Sequence, residues 1–283
     1  MTVVVTGAAG LLGRHLVEAV DDSGLPVRAV DRVPPPSSDV EFVRADLTVL
    51  GEAVQALHGA SAVMHAAAIP RPTGLTAVEV FHTNVTVAYN VVEAAVLHAV
   101  PRLVNASSFS VIGLPFNPRP VRLEYLPIDS SHPLAPQEAY ALSKLVTEEI
   151  VAAAARRSGL SAISLRMPWI QTPATFADEV VPRREDPSVG ASNLWAYIDA
   201  RDAAAAFLAA LEPTIGGHEA VYVSAPDTFM DAETEALVRS TFAEVELRKP
   251  LPGRAPLLDT DAAHALLGCR AEHSWRSYPT EAA

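Results

Sequence analysis

The sequence predicts an α/β fold, a doubly wound parallel sheet with a smaller C-terminal lobe. Three observations predict it. Short β-branched runs alternate with longer helical stretches through the first half, the pattern of βα units wound onto a parallel sheet. A glycine-punctuated turn follows the first of those runs. Beyond residue 167 the alternation gives way to proline-rich and charged segments, as an appended lobe would require.

Residues 2–6 read as a buried strand and 11–20 as an amphipathic helix; strands follow at 27–31, 41–44 and 61–65. A long helix is expected from about 75 to 99, stopped by Pro101. A fifth strand, 102–106, leads into Ser107 and Ser108. Residues 113–136 hold prolines at 115, 118, 120, 127, 133 and 136 and read as an ordered loop without regular structure. Loops of such length in compact domains usually serve function. A helix over 137–158 with Gly159 as its cap precedes a sixth strand at 161–165. In the remainder, 195–199 leads into a helix over 203–211, then a strand at 220–224 and helices near 231–241 and 261–267. The expected division is a dinucleotide-binding domain over 1–166, joined by about 195–224, and a substrate lobe from 167–194 and 225–283.

Bulk properties narrow the function. Hydrophobic residues make up 49% of the 283, enough for a sizeable core, and charged residues only 19%. A net charge of −12 without any basic run argues against nucleic acid and anionic membrane as partners. The single cysteine, Cys269, permits no internal disulfide. The N-terminal residues lack a signal-peptide pattern, and no apolar run is long enough to span a bilayer, so the expected address is the cytosol. The nine histidines show no ligand spacing, and no metal is expected.

The turn Thr6-Gly7-Ala8-Ala9-Gly10-Leu11-Leu12-Gly13 opens a helix directly after a strand. Gly7 permits a tight turn, Gly10 lets backbone approach a pyrophosphate, and Gly13 allows close helix–sheet packing. The helix N-terminus then offers free N–H groups to the phosphates. Asp31, ending the second strand, suits an adenosine ribose diol and repels a 2′-phosphate, which favours NAD; Arg32 beside it leaves NADP admissible. Tyr140 and Lys144 stand four residues apart on one helical face. A free phenol titrates near 10, and an ammonium neighbour, helped by the positive charge of a nicotinamide, is expected to lower it toward the working range of an acid–base group. Lysine occurs only twice in the chain, at 144 and 249. Ser108 falls at the carboxyl edge of the sheet, where open α/β folds bind ligands, and Ser107 is its alternative.

These residues resemble the extended short-chain dehydrogenases/reductases, the NAD-dependent epimerase/dehydratase family of Rossmann proteins. The likeness covers nearly the whole chain. It rests on the glycine turn, Asp46-Leu47, His65-x-Ala67-Ala68, Asn84, Ser107-Ser108, Tyr140-x-x-x-Lys144, Arg166, and Tyr197-Ile198-Asp199-x-x-Asp202. The resemblance implies a catalytic triad of Ser108, Tyr140 and Lys144, with Lys144 also on the nicotinamide ribose. It places Asp46 and Leu47 by the adenine, His65, Ala66 and Ala67 along the cofactor, and Asn84 in support of the active-site backbone. It makes a homodimer through the two long helices the expected assembly. The expected cofactor set is thus Gly7, Gly10, Leu11, Leu12, Gly13, Asp31, Arg32, Asp46, Leu47, His65, Ala66, Ala67, Asn84, Tyr140, Lys144 and Met167.

Departures from the family pattern bear on the substrate. Phe109 and Ser110 follow Ser108 where the family's dehydratases carry Asp-Glu. Arg166 is followed by Met167-Pro168-Trp169 rather than completing Arg-x-x-Asn, and Trp195 stands near the place of a diphosphate-gripping arginine. An indole cannot make the paired charged bonds of a guanidinium. Ser107, Phe109, Trp169 and Trp195 are therefore expected to face a small sugar-like or other cyclic hydroxy or keto substrate. The expected activity is hydride transfer at a substrate hydroxyl or carbonyl, with epimerisation through the same half-reaction as the alternative. A non-catalytic dinucleotide-binding module is a third reading, since fold does not dictate function.

Overall fold

The computed structural model describes residues 1–36, 39–212 and 215–279; the last four residues of the expected lobe lie outside them. Strand β1 (Val3–Thr6) is wholly buried and leads into α1 (Leu11–Asp22). Next come β2 (Val27–Asp31), β3 (Glu41–Arg44), α2 (Leu50–Ala56) and β4 (Ala62–His65). The long helix α3 (Ala77–Leu97) starts at Thr76, whose hydroxyl accepts from Glu79 N while the Glu79 side chain returns to the Thr76 backbone. That capping box contributes about 1 kcal/mol to the helix start. It is followed by β5 (Arg102–Ser108), β6 (Tyr125–Leu126), α4 (Ala139–Ser158) and β7 (Ser161–Met167). The lobe and the closing sheet strand add β8 (Trp169–Gln171), the single turns α5 (Pro173–Thr175) and α6 (Pro187–Gly190), β9 (Tyr197–Asp199), α7 (Ala200–Ala209), β10 (His218–Tyr222), α8 (Thr234–Thr241), β11 (Glu246–Leu247) and α9 (Asp261–Leu267).

Seven parallel strands form the sheet in the order β10-β7-β5-β4-β1-β2-β3. Strand order reverses between β1 and β4, and ligands of doubly wound folds bind outside the carboxyl ends of the strands at such a switch. Apolar clusters cover both faces. One sets α1 and α7 against the sheet through Leu16, Val20, Ala203 and Phe207; the other sets α2 and α3 against it through Ala53, Leu57, Val91 and Leu103. A third core belongs to the lobe and unites Phe176, Trp195, Phe229, Leu237 and Leu257 with Ile112, Leu114, Leu123, Leu126 and Ile128.

That third core departs from the expected division, because residues from the proline-rich loop pack into the lobe. The loop also contains regular structure: β6 pairs in parallel with β11. Proline 127 removes a donor only past the end of β6, so the two-residue strand survives. The sheet strands β5 and β7 run two residues beyond expectation, to Ser108 and Met167, which pair with each other. Helix α2 was not expected. Among the described residues no helix is long and apolar enough to cross a membrane.

Candidate active site

The glycine turn lies at the switch point. Gly7 sits at φ +73°, and a Cβ there would stand 2.6 Å from the backbone nitrogen of Ala67, just beyond β4. A Cβ on Gly13 would lie 1.9 Å from the Gly7 carbonyl oxygen. Only glycine fits either position. Gly10 caps α1 with no side-chain bond to its first amides, so those amides and the helix dipole face the turn. Leu11 is half-buried beside it and Leu12 is buried in the core.

Asp31 ends β2 with its carboxylate turned back onto the turn: Oδ2 accepts from Ala9 N at 3.0 Å and Oδ1 from Arg32 N at 2.6 Å. A carboxylate has about four acceptor positions, so two remain for a diol. Arg32 is exposed alongside. The Asp46 carboxylate lies below its usual range because the Thr48 hydroxyl and amide both donate to it. Leu47 is buried and its carbonyl accepts from Asn90. His65, at the end of β4, bonds Thr6 Oγ1 through Nδ1 at 2.8 Å; burial holds its imidazole down to about 3, so it is neutral. Ala66 and Ala67 continue from it, half-buried, against Gly7. A cradle that any Cβ would fill, open helix amides and a diol-accepting carboxylate together fit NAD.

The candidate acid–base residues come from α4 and β5. Glu138 caps α4, its carboxylate accepting from Tyr140 N and Ala141 N at 2.6 Å each. This fixes Tyr140 in the first turn, with Lys144 one turn on. The Lys144 ammonium donates to the Ala106 carbonyl at 2.8 Å, and its nitrogen lies 5.8 Å from the centre of the Tyr140 ring. Burial pushes Lys144 down to about 8, opposed by the charge of Glu148. Burial raises Tyr140 to about 12, with Glu138 adding to the rise and the Ser108 hydroxyl opposing it, so the lowering expected from Lys144 calls for the nicotinamide's positive charge as well. Ser108 ends β5, and its oxygen accepts from Ser110 N at 3.2 Å. Asn84 reaches from α3 to bond the Ile69 backbone in both directions and the Ser143 hydroxyl, tying the loop that follows β4 to α4.

Three of the four expected substrate residues are committed elsewhere. The Trp195 ring is fully buried; it packs where a Cβ on Gly190 would meet it at 2.6 Å, and its Nε1 donates to the Pro187 carbonyl. Phe109 lies in the lobe core. The Ser107 hydroxyl donates to the buried Glu148 carboxylate. Each is buried in this structure. Trp169 stays half-buried, with the Arg183 guanidinium 5.3 Å above its ring. Met167 is buried at the end of β7. The structure adds Thr6, Glu138 and Glu148 to the residues that shape the site. Thr6 opens the glycine turn, and Glu148 continues the four-residue spacing of Tyr140 and Lys144.

The family model described as the NAD dependent epimerase/dehydratase family matches residues 3–223. Over 191 residues the chain is 32% identical to an L-arabinose 1-dehydrogenase (NAD(P)(+)) of Haloferax volcanii, spanning 65% of this chain and 71% of that protein. A UDP-glucose 4-epimerase of Azospirillum brasilense is 29% identical over 174 residues, 58% of this chain and 47% of the epimerase. In structure, the chain resembles a short-chain dehydrogenase/reductase superfamily protein from Agrobacterium tumefaciens with bound NAD. The TM-score is 0.76 at 26% identity, covering 100% of this chain and 96% of that one. With the glycine cradle, the switch-point sheet and the serine–tyrosine–lysine group in place, the chain belongs to the NAD-dependent epimerase/dehydratase family of extended short-chain dehydrogenases/reductases.

Proposed function

We propose that this protein is an NAD-dependent dehydrogenase or ketoreductase acting on a hydroxyl or keto group of a small sugar-like or other cyclic compound. The observation that carries the reading is the convergence of Ser108, Tyr140 and Lys144 at the carboxyl edge of β5, beside the glycine cradle at the strand-order switch. When bound, the dinucleotide supplies a hydride acceptor or donor and a positive ring. Tyr140 takes the hydroxyl proton as the substrate is oxidised and returns it as a carbonyl is reduced. Ser108 holds the reacting oxygen, and Lys144, fixed on the Ala106 carbonyl, provides positive charge behind the phenol. A phenol standing near 12 needs added positive charge to become a base at neutral pH.

The cofactor residues are those of the sequence reading, Gly7, Gly10 to Gly13, Asp31, Arg32, Asp46, Leu47, His65 to Ala67, Tyr140, Lys144 and Met167, with Asn84 acting through the backbone it holds. Asp31 favours NAD, while the Haloferax relative's name allows NADP as well. A small substrate is supported by two positions where a diphosphate grip would be sought. Trp195 is buried, and Arg166 is engaged on Glu148. Trp169, under Arg183, remains the aromatic placed to meet a ring.

Tyr140→Phe is the test. With NADH binding retained, turnover is expected to fall by about 10²–10⁴-fold; undiminished turnover overturns the reading. An epimerase would use the same half-reaction, and the likeness to a UDP-glucose 4-epimerase favours it as the second reading. Incubating sugars without added cofactor separates the two, since an epimerase yields a stereoisomer and no net NADH. NAD-linked turnover of any substrate eliminates a binding-only module. The proposed setting is cytosolic, with a homodimer built on α3 and α4.

A further inference from the structure

Three consecutive residues at the end of β5 each meet one residue of a single stripe on α4. The Ala106 carbonyl accepts from Lys144 Nζ at 2.8 Å, the Ser107 hydroxyl donates to Glu148 Oε1, and the Ser108 hydroxyl stands against the Tyr140 phenol. Tyr140, Lys144 and Glu148 follow at four-residue spacing and so share one helical face. Glu148 is in turn gripped from β7, the strand beside β5. Arg166 Nε donates to Oε1 at 3.0 Å and Arg166 Nη2 to Oε2 at 2.8 Å. Both side chains are about 95% removed from solvent. Taking such a pair out of water is costly, and an apolar pair of the same size often serves stability as well.

We propose that Glu148, held by Arg166, is a positioning residue: it sets the register of α4 on β5 so that Tyr140 meets Ser108, and it supplies the negative charge that Lys144 faces. The inference rests on the acid–base reading of Tyr140. Without Glu148 nothing in this array opposes the burial that drives Lys144 down to about 8. The other groups facing Lys144 are the Tyr140 ring and His65 on β4, which is neutral. Around Glu148 stand Ser107, Arg166 and, from β10, the Tyr222 phenol, raised by burial, and His218, lowered by burial. Neither of these carries charge at neutral pH, so the charged groups beyond Lys144 in this array are Glu148 and the Arg166 guanidinium bonded to it.

Glu148→Gln alone would strand Arg166 as an unpaired buried cation and risks unfolding. The informative variant is the double, Glu148→Gln with Arg166→Met, which removes both charges and keeps an acceptor for Ser107. It is expected to bind NADH as the wild type does and to leave KM little changed. Its alkaline limb of kcat/KM is expected to move to lower pH, because Lys144 would lose its proton sooner. The pH 8 to pH 6.5 activity ratio should drop about twofold, the effect of half a pKa unit near the midpoint. A folded, NADH-binding double variant with the wild-type pH profile and kcat overturns the proposal. If the double variant does not fold, Ser107→Ala carries the test: it leaves the ion pair intact and removes one rung. A fall in kcat at constant KM supports the register role, and an unchanged kcat overturns it. Tyr140→Phe is run in parallel; if it keeps full turnover, the parent reading has failed rather than this one.

Discussion

His65 shows how one residue couples the site to the fold. Buried at the end of β4 and bonded to Thr6, its imidazole is held down to about 3 from an ordinary 6.5. Below pH 6.5 an unfolded chain takes a proton on His65 that the folded chain refuses. Its contribution to stability is therefore complete above that value and shrinks as pH falls toward 3. Urea unfolding should show about 1 kcal/mol lost between pH 6.5 and 5.5 from this residue, and His65→Asn, which cannot titrate, should flatten that part of the curve. An unaltered slope in the variant would refute the assignment. At this scale local spacing in the sequence was enough to put Tyr140 and Lys144 side by side on α4. Local pattern gave no sign that Trp195 and Phe109 are buried, because that burial depends on Gly190, Phe229 and a lobe core gathered from distant segments.

Among elements, the β1–turn–α1 unit is the one whose geometry tolerates least change. The atom that a Gly13 Cβ would strike is backbone, so no side chain can swing away. Gly13→Ala must push α1 off the turn, and overpacking of this kind costs about 1–3 kcal/mol. A lowered melting temperature together with weakened NADH binding is expected by calorimetry and fluorescence titration; wild-type values in both would show that the close approach is dispensable. Periodicity revealed the sheet strands and the two long helices to within a few residues. It missed α2, whose buried residues are the alanines Ala53 and Ala56, too small to mark a face. It also missed β6, whose partner β11 lies far along the chain and leaves no local trace.

At the scale of the whole molecule, the outer faces of the two long helices carry exposed apolar side chains. Val78 and Tyr89 on α3 are 62% and 50% exposed, and Leu142 on α4 is 42% exposed. Val78 and Tyr89 lie about three helical turns apart and share a face. A homodimer on these helices would cover them, and Tyr89→Glu is expected to convert a dimer to a monomer in sedimentation velocity at micromolar concentration. A wild-type monomer at that concentration would dismiss the assembly.

The sequence by itself determined the parallel sheet, the glycine turn and the Tyr140–Lys144 pair, because each is written in spacing along a single strand, turn or helix and in steric demands only certain residues meet. Tertiary structure decided which aromatic rings are spent on the lobe core, where Ser107 points and how Glu148 and Arg166 close around it. Those outcomes depend on burial and pairing between segments far apart in the chain, and local pattern holds no record of them.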